Sequence, residues 1–200
     1  MQTESTFAAN SQCSHPENVS AVSLHAANDT DEAFLADVFI STRWDEFSRT
    51  GWEPQRIEAF LRQQFQFQHT YYHEHYPHAC FDVVLAGAEP VGRLYHAWRP
   101  PQIGDEVRII DIALLPAWRG KGIGTQLLHA LIADAVREQL PVSLNVETDN
   151  PAQALYRRLG FVKQSGGSGV YDLMRRECAP FDAPAVSLAA LRGNANVVAM

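Results

Sequence analysis

The stretch Val107-Arg-Ile-Ile-Asp-Ile-Ala-Leu-Leu-Pro-Ala-Trp-Arg-Gly-Lys-Gly-Ile-Gly124 decides how the chain folds. It opens as a run of strand formers, and Pro116, which has no backbone N–H and a fixed φ, halts it. A basic, glycine-rich turn follows. From about Gly122 the apolar residues recur at helical spacing. Strand, glycine turn and helix start together make a seat for a phosphorylated ligand. The first amides of a helix have no intrahelical acceptor, and glycine lets the chain approach an anion closely. The spacing of Gly120, Gly122 and Gly124 narrows the choice. No Gly stands five residues before a Gly-Lys-[Ser/Thr] triplet, which excludes a nucleotide P-loop. G-x-G-x-G is also not the G-x-G-x-x-G dinucleotide fingerprint.

Downstream, Ile123, Leu127, Leu128, Leu131, Ile132, Ala135 and Val136 form a wide apolar stripe. That predicts a helix over 122–139 packed on a sheet. Residues 142–146 read as the next strand. Asn150 and Pro151 read as the cap and first position of a short helix, with Gln153 in capping-box register and Gly160 as its left-handed stop. A last strand over 170–174 follows the flexible Gly166-Gly167-Ser168-Gly169. Upstream, 81–85 and 91–98 read as a hairpin. Two helices precede it, one from a cap at Asp29 to about Phe47 and one opened by Glu53-Pro54 and stopped by Pro77. Residues 21–25 are a first strand. The chain divides into a flexible extension over 1–18, one domain over 19–177 and a tail over 178–200. The class is mixed α/β (α+β), with strands paired locally first and crossover helices later.

Two motifs in this order carry a resemblance. Arg119-Gly120-Lys121-Gly122-Ile123-Gly124 fits [Gln/Arg]-x-x-Gly-x-[Gly/Ala], and Asn150-Pro-Ala-Gln-Ala-Leu-Tyr156-Arg-Arg-Leu-Gly160-Phe161 lies a helix and a strand downstream. Together they resemble the pyrophosphate turn and the C-terminal motif of the GCN5-related N-acetyltransferase superfamily. The resemblance is close over about 80–174. It implies a central, mostly antiparallel sheet of about seven strands, splayed between the fourth and fifth, with coenzyme A in the splay. The main chain of Ala113, Leu114 and Leu115 would take the pantetheine arm. The amides of Arg119, Gly120, Lys121, Gly122, Ile123, Gly124 and Thr125 would take the pyrophosphate, with Asn150 and Tyr156 also at the cofactor. The implied activity is transfer of acetyl from acetyl-CoA to a primary amine by direct attack, with no metal. The alternative is a non-catalytic acyl-CoA-binding sensor or scaffold on the same fold.

Such a transfer is helped by an acid at the leaving sulfur and a base near the amine. The resemblance gives Tyr156 the first role, and a phenol suits it because its ordinary pKa of about 10 is close to that of a thiol. Asp111 is the one carboxylate in an apolar strand. A buried carboxylate needs a partner or a use, so it reads either as base or amine-positioning group, or as a structural aspartate bonded to nearby backbone. Glu147, at the end of the next strand, is the second base candidate. His73-Glu74-His75-Tyr76-Pro77-His78 is not a metal motif, since Pro77 stands where H-E-x-x-H needs its second His. Tyr71, Tyr72 and His75 read instead as acceptor-pocket residues, and Phe34, Phe39, Trp44 and Phe47 as core.

Composition sets outer bounds. A 46% hydrophobic chain with a formal net charge of -7 can bury one core and lacks the basic balance of a nucleic-acid binder. The acidic balance favours a small cationic acceptor. Cys13, Cys80 and Cys178 are scattered and odd in number, as in reduced proteins. No early basic-apolar leader or long apolar run is present, so a cytoplasmic protein with no membrane partner is expected. The expected partner is a small-molecule or peptide amine, and a homodimer is common in the superfamily.

Overall fold

The computed structural model describes residues 21–165, 169–180 and 186–193. The predicted extension over 1–18 and the glycine-rich Gly166-Gly167-Ser168 lie outside the described residues. Seven strands make one sheet: β1 (Val22–Ala26), β2 (Cys80–Ala86), β3 (Glu89–Trp98), β4 (Val107–Leu114), β5 (Val142–Glu147), β6 (Val162–Lys163) and β7 (Tyr171–Arg176). Their order is β1-β2-β3-β4-β5-β7-β6, antiparallel throughout except for the parallel β4–β5 pair. The helices are α1 (Glu32–Phe47), α2 (Pro54–His75), α3 (Ile123–Arg137), α4 (Gln153–Arg158) and the short α5 (Leu188–Gly193).

Each face of the sheet has its own core. On one face α3 inserts Ile123, Leu127, Leu128 and Leu131 against Val107, Ile109, Leu144 and Met174. On the other, α1 and α2 bring Leu35, Phe39, Ile57, Leu61 and Phe65 onto Val83 and Tyr95. Stripes at helical spacing make both contacts, and each fully buried Leu, Ile or Phe contributes about 1.5–3 kcal/mol. The last described segment belongs to the first core. Leu188 and Leu191 of α5 are buried there, Asp134 of α3 accepts the Leu188 N–H at 2.9 Å, and Arg192 makes two bonds to the buried Asp82 of β2, at 3.1 and 2.6 Å.

The parallel pair is short. Val107, Arg108 and Ile109 face Val142, Ser143 and Leu144, and no register continues beyond them although both strands do. Past this point β4 and β5 diverge, which is the splay the resemblance implied. A polar lock holds the closed end: Arg108 and Glu106 both bond Ser143, and Arg175 of β7 reaches Glu106 at 3.3 Å.

Two local readings need correction. The first helix is entered through a 3-10 turn over Asp29–Asp31, capped by Asn28 and not Asp29, with the reciprocal bond supplied by Asp31. α4 begins at Gln153 with Ala152 at its cap, so neither the Asn150 cap nor the Pro151 first position holds, and the capping box expected of Gln153 does not form. The Gln153 side-chain amide donates to the Glu147 and Thr148 carbonyls and to Asp172, while Asn150 Oδ1 accepts the Ala152 N–H at 2.9 Å in an Asx turn. A long amide whose two N–H are shared among two part-buried carbonyls and the buried Asp172 carboxylate is worth more there than at an open helix end.

Candidate active site

The open side of the splay is built from backbone first. Leu115 N–H donates to Val91 of β3 at 2.9 Å. Alternate residues of a strand direct their N–H and C=O to opposite edges, so Ala113 points to β3 while Ile112 and Leu114 point to the edge that β5 has left. The Leu114 carbonyl on that edge is held by Arg119 Nε at 2.8 Å. Its N–H stays directed into the splay. Close approach of β3 beneath this point depends on Gly92: a Cβ there would lie 2.3 Å from the Ala113 carbonyl oxygen.

A bulge sets the side chains. Tyr95 pairs with Asp111 and His96 with Ile109, leaving Ile110 as the extra residue of β4. Without it, alternation would put Asp111 on the face of Ile109, against α3. With it, Ile110 and Asp111 both turn toward α1 and α2, and Ile112 and Leu114 return to the α3 face. The lone carboxylate of the apolar strand thereby enters the splay cavity.

Beyond Leu115, Pro116–Trp118 form a single 3-10 turn. Gly120 (φ 73°) and Gly122 (φ 84°) then adopt the left-handed conformation that side chains resist, and α3 begins. No side chain caps α3, and a Cβ at Gly120, Gly122 or Gly124 would meet nothing within 4 Å. The turn is thus an open rim of amides at the positive end of a helix dipole. Its cations are partly engaged elsewhere. Arg119 braces Leu114 and the Ser41 carbonyl of α1, and Lys121 Nζ lies 4.8 Å over the Trp118 ring.

Opposite β4, α4 presents Tyr156, which packs edge-on against Phe161 and is 7% exposed. Gly160 ends that helix with φ 85°, as its sequence predicts. Between β4, β5, α1, α2 and α4 lies a cavity of about 220 Å³. It gathers Asp111, Ala113, Glu147, Asn150, Tyr156 and Tyr72 from the predicted set. Tyr71 and His75 are not among its lining. They stack on each other, centroids 3.8 Å apart, on the outer surface of α2. His73 stacks on Phe81 at 4.1 Å, and among the described residues no group of three His, Cys, Asp or Glu side chains is placed to hold a metal. Phe39, expected as core, is both core and cavity wall.

The cavity also holds residues the sequence reading passed over: Arg43, Gln68, Arg93, Asn145 and Tyr171. Arg93 had a readable signal, a lone cation in the apolar run of β3 facing a lone carboxylate in β4. Both carboxylates are paired with guanidinium groups. Arg93 meets Asp111 at 2.8 Å and Arg43 meets Glu147 at 2.5 Å. The four charges cancel, so the acidic balance of the whole chain does not extend into its cavity. Burial, then the charge of Asp111, pushes the Tyr156 hydroxyl up to about 12, and burial raises Tyr72 beyond that range. Both phenols are therefore neutral donors across the physiological range.

This geometry agrees with comparisons to known proteins. The model of the acetyltransferase (GNAT) family matches residues 36–161. The chain belongs to this family. Over 90 residues it is 41% identical to N-alpha-acetyltransferase RimI of Mycobacterium tuberculosis, covering 44% of this chain and 52% of that protein. An uncharacterized protein of Mycobacterium leprae is 38% identical over 103 residues, 47% of this chain and 26% of its own length. The chain thus spans about half, and about a quarter, of these curated relatives. Among solved structures, PaiA N-acetyltransferase of Thermoplasma acidophilum, in complex with coenzyme A, superposes with a TM-score of 0.56 at 18% identity, covering 78% of this chain and 98% of that one. An acetyltransferase of Thermus thermophilus gives 0.57 at 21%, covering 80% and 98%. At these identities the likeness is one of fold. The GNAT family uses acetyl-CoA, and its sheet, open between the fourth and fifth strands, is the sheet found here. No helix among the described residues is long and apolar enough to cross a membrane.

Proposed function

We propose that this GNAT chain transfers acetyl from acetyl-CoA to a primary amine in the β4–β5 splay. One observation carries the reading: the edge of β4 that β5 has left borders, through Ile112 and Ala113, a cavity whose opposite wall holds the neutral, buried Tyr156, and the Leu114 N–H lies next along that edge. A protein that only bound coenzyme A would need the first feature and not the second. The residues present fit the ligand. The uncapped α3 terminus and the space over Gly120, Gly122 and Gly124 suit a pyrophosphate, and the free edge at Ile112 and Leu114 suits an amide-bearing pantetheine arm, while Ala113 and Leu115 face β3.

Acetyl-CoA supplies an acetyl group already activated as a thioester. The chain's own residues do the rest. Leu114 N–H donates to the acyl oxygen as charge builds there, a contribution that grows in a cavity poor in water. Tyr156 donates its proton to the departing sulfur, so the thiol leaves as the amide forms; the amine's surplus proton passes to solvent, and the Tyr156 phenolate regains a proton from there. The hydroxyl can act this way because, among the described residues, no hydrogen bond to another side chain competes for it. The name of the mycobacterial relative makes a peptide α-amine the first acceptor class to test.

The backbone, not Lys121, should hold the pyrophosphate. Replacing Gly122 by Val demands a left-handed β-branched residue, at a cost of about 1–2 kcal/mol, and fills the open rim. Calorimetric titration with coenzyme A should show Gly122→Val weakening binding about tenfold or more, since 1.4 kcal/mol is a factor of ten. Lys121→Ala should lose only about two- to threefold, the size of an exposed ion contact. The reverse ranking would put the pyrophosphate elsewhere.

A further inference from the structure

We propose that Arg93 is a positioning residue for acetyl transfer: it fixes the Asp111 carboxylate so that the free oxygen of Asp111 receives an N–H of the acceptor amine. This rests on reading the splay as the transfer site.

Arg93 projects from β3 beneath the cavity and is 2% exposed. Its Nη2 bonds Asp111 Oδ2 at 2.8 Å and Gln68 Oε1 at 3.2 Å, and its Nη1 reaches the Leu35 carbonyl at 3.4 Å. One side chain therefore ties α1, α2 and β4 together under the site. The rings of Tyr95 and Phe39 lie 5.4 and 5.9 Å from its guanidinium carbon, and its Nε is buried with no acceptor among the described residues. This is an expensive arrangement. A buried ion pair usually adds no net stability over an apolar pair of the same volume, and here one donor is also left unmet. A pair kept on stability grounds alone would be better replaced by Met and Leu.

What the pair achieves is orientation. The bulge at Ile110 turns Asp111 toward α1 and α2, and the guanidinium then takes one carboxylate oxygen. The other, Oδ1, has no hydrogen-bond partner among the described residues and belongs to a side chain on the cavity wall. The carboxylate, held through Oδ2, thereby offers Oδ1 as a fixed acceptor for an N–H of the amine. Glu147, the other carboxylate of the cavity, is held on the β5 wall by Arg43.

The test uses the full chain with acetyl-CoA and a panel of primary amines. It compares wild type with Arg93→Lys and with the double variant Arg93→Met/Asp111→Leu, which removes both charges at once. The double variant should fold with a melting temperature at or above wild type and bind coenzyme A within about threefold, yet lose about 100-fold in kcat/KM for the amine, as expected for a misplaced reactant. Arg93→Lys, a single-point donor in place of a fork, should raise KM for the amine about tenfold and leave KM for acetyl-CoA unchanged. A double variant that folds, binds coenzyme A and retains wild-type kcat/KM would overturn the assignment. So would a double variant that cannot fold, because the pair would then be structural. If wild type itself acetylates no amine, the transfer reading fails and carries this role with it; if wild type acetylates and the double variant matches it, only the role of Arg93 fails.

Discussion

Tyr156→Phe should bind coenzyme A as wild type does and lose about 100-fold or more in kcat, the low end of what a positioned acid contributes. The substitution removes one oxygen from a ring already packed against Phe161, so the fold and the α4 backbone are left in place. The pH profile distinguishes this from a packing effect. Burial and the charge of Asp111 disfavour the phenolate, which pushes the hydroxyl up to about 12 and keeps it protonated well past the ordinary tyrosine value. The alkaline limb of kcat in wild type should therefore not fall with a midpoint near 10. An alkaline midpoint near 10 that disappears in Tyr156→Phe would show an acid in a more solvated setting than this cavity.

The second large effect concerns the far end of the chain. Ending it before residue 186 should destabilise the protein by several kcal/mol and leave much of it unfolded. Two core leucines, Leu188 and Leu191, leave with α5, each worth about 1.5–3 kcal/mol. Removing Arg192 also leaves the Asp82 carboxylate, 1% exposed, without its cation, and breaking such a pair costs about 3–5 kcal/mol. The pH dependence has a definite sign. Burial already holds the Asp82 carboxyl above its usual range, with Arg192 opposing the shift, so loss of Arg192 raises it further. The native state then holds a proton that the unfolded chain releases. The gap in stability between full-length and shortened chains should accordingly narrow as pH falls through the raised Asp82 value. Urea titrations of both chains at neutral and mildly acid pH measure it. A shortened chain as stable as the full one would place the folded unit's boundary before α5.

The parts of this molecule that were legible in the sequence are those fixed by local chemistry. Pro116 ends the strand, the glycine turn leads into the amphipathic α3, and Gly160 stops α4 in the left-handed conformation its sequence position predicts, though that helix begins later than Asn150 and Pro151 suggest. The splay followed from family resemblance and was met at Ile109. What escaped was set by pairing between distant residues. The bulge at Ile110 exists only against Tyr95 and His96, so nothing within β4 announces that Asp111 leaves the face of Ile109. Gln153 abandons its capping box for Asp172, nineteen residues on. The tail had no visible place because Leu188 and Leu191 make too short a stripe to phase alone.

Other misses had a signal that could have been used. Ile57, Leu61 and Phe65 define the buried stripe of α2, and continuing it by helical steps reaches Gln68 and Tyr72, not Tyr71 or His75. Only the in-phase aromatic entered the cavity. The preference for a small cationic acceptor, drawn from net charge, weakens for a similar reason. Arg43 and Arg93 neutralise Glu147 and Asp111 within the site, so its selectivity depends on shape and hydrogen bonding and not on the charge of the whole chain.

The most direct test is acetyl transfer itself, followed as amide product by mass spectrometry alongside free-thiol release, with acetyl-CoA and a panel of peptide α-amines, lysine side chains and small monoamines. The splay account predicts stoichiometric thiol and amide with at least one amine, abolished together in Tyr156→Phe while coenzyme A still binds. Tight coenzyme A binding with no amide formed from any amine, in wild type as in the variant, would contradict it and leave a binding protein on the same fold.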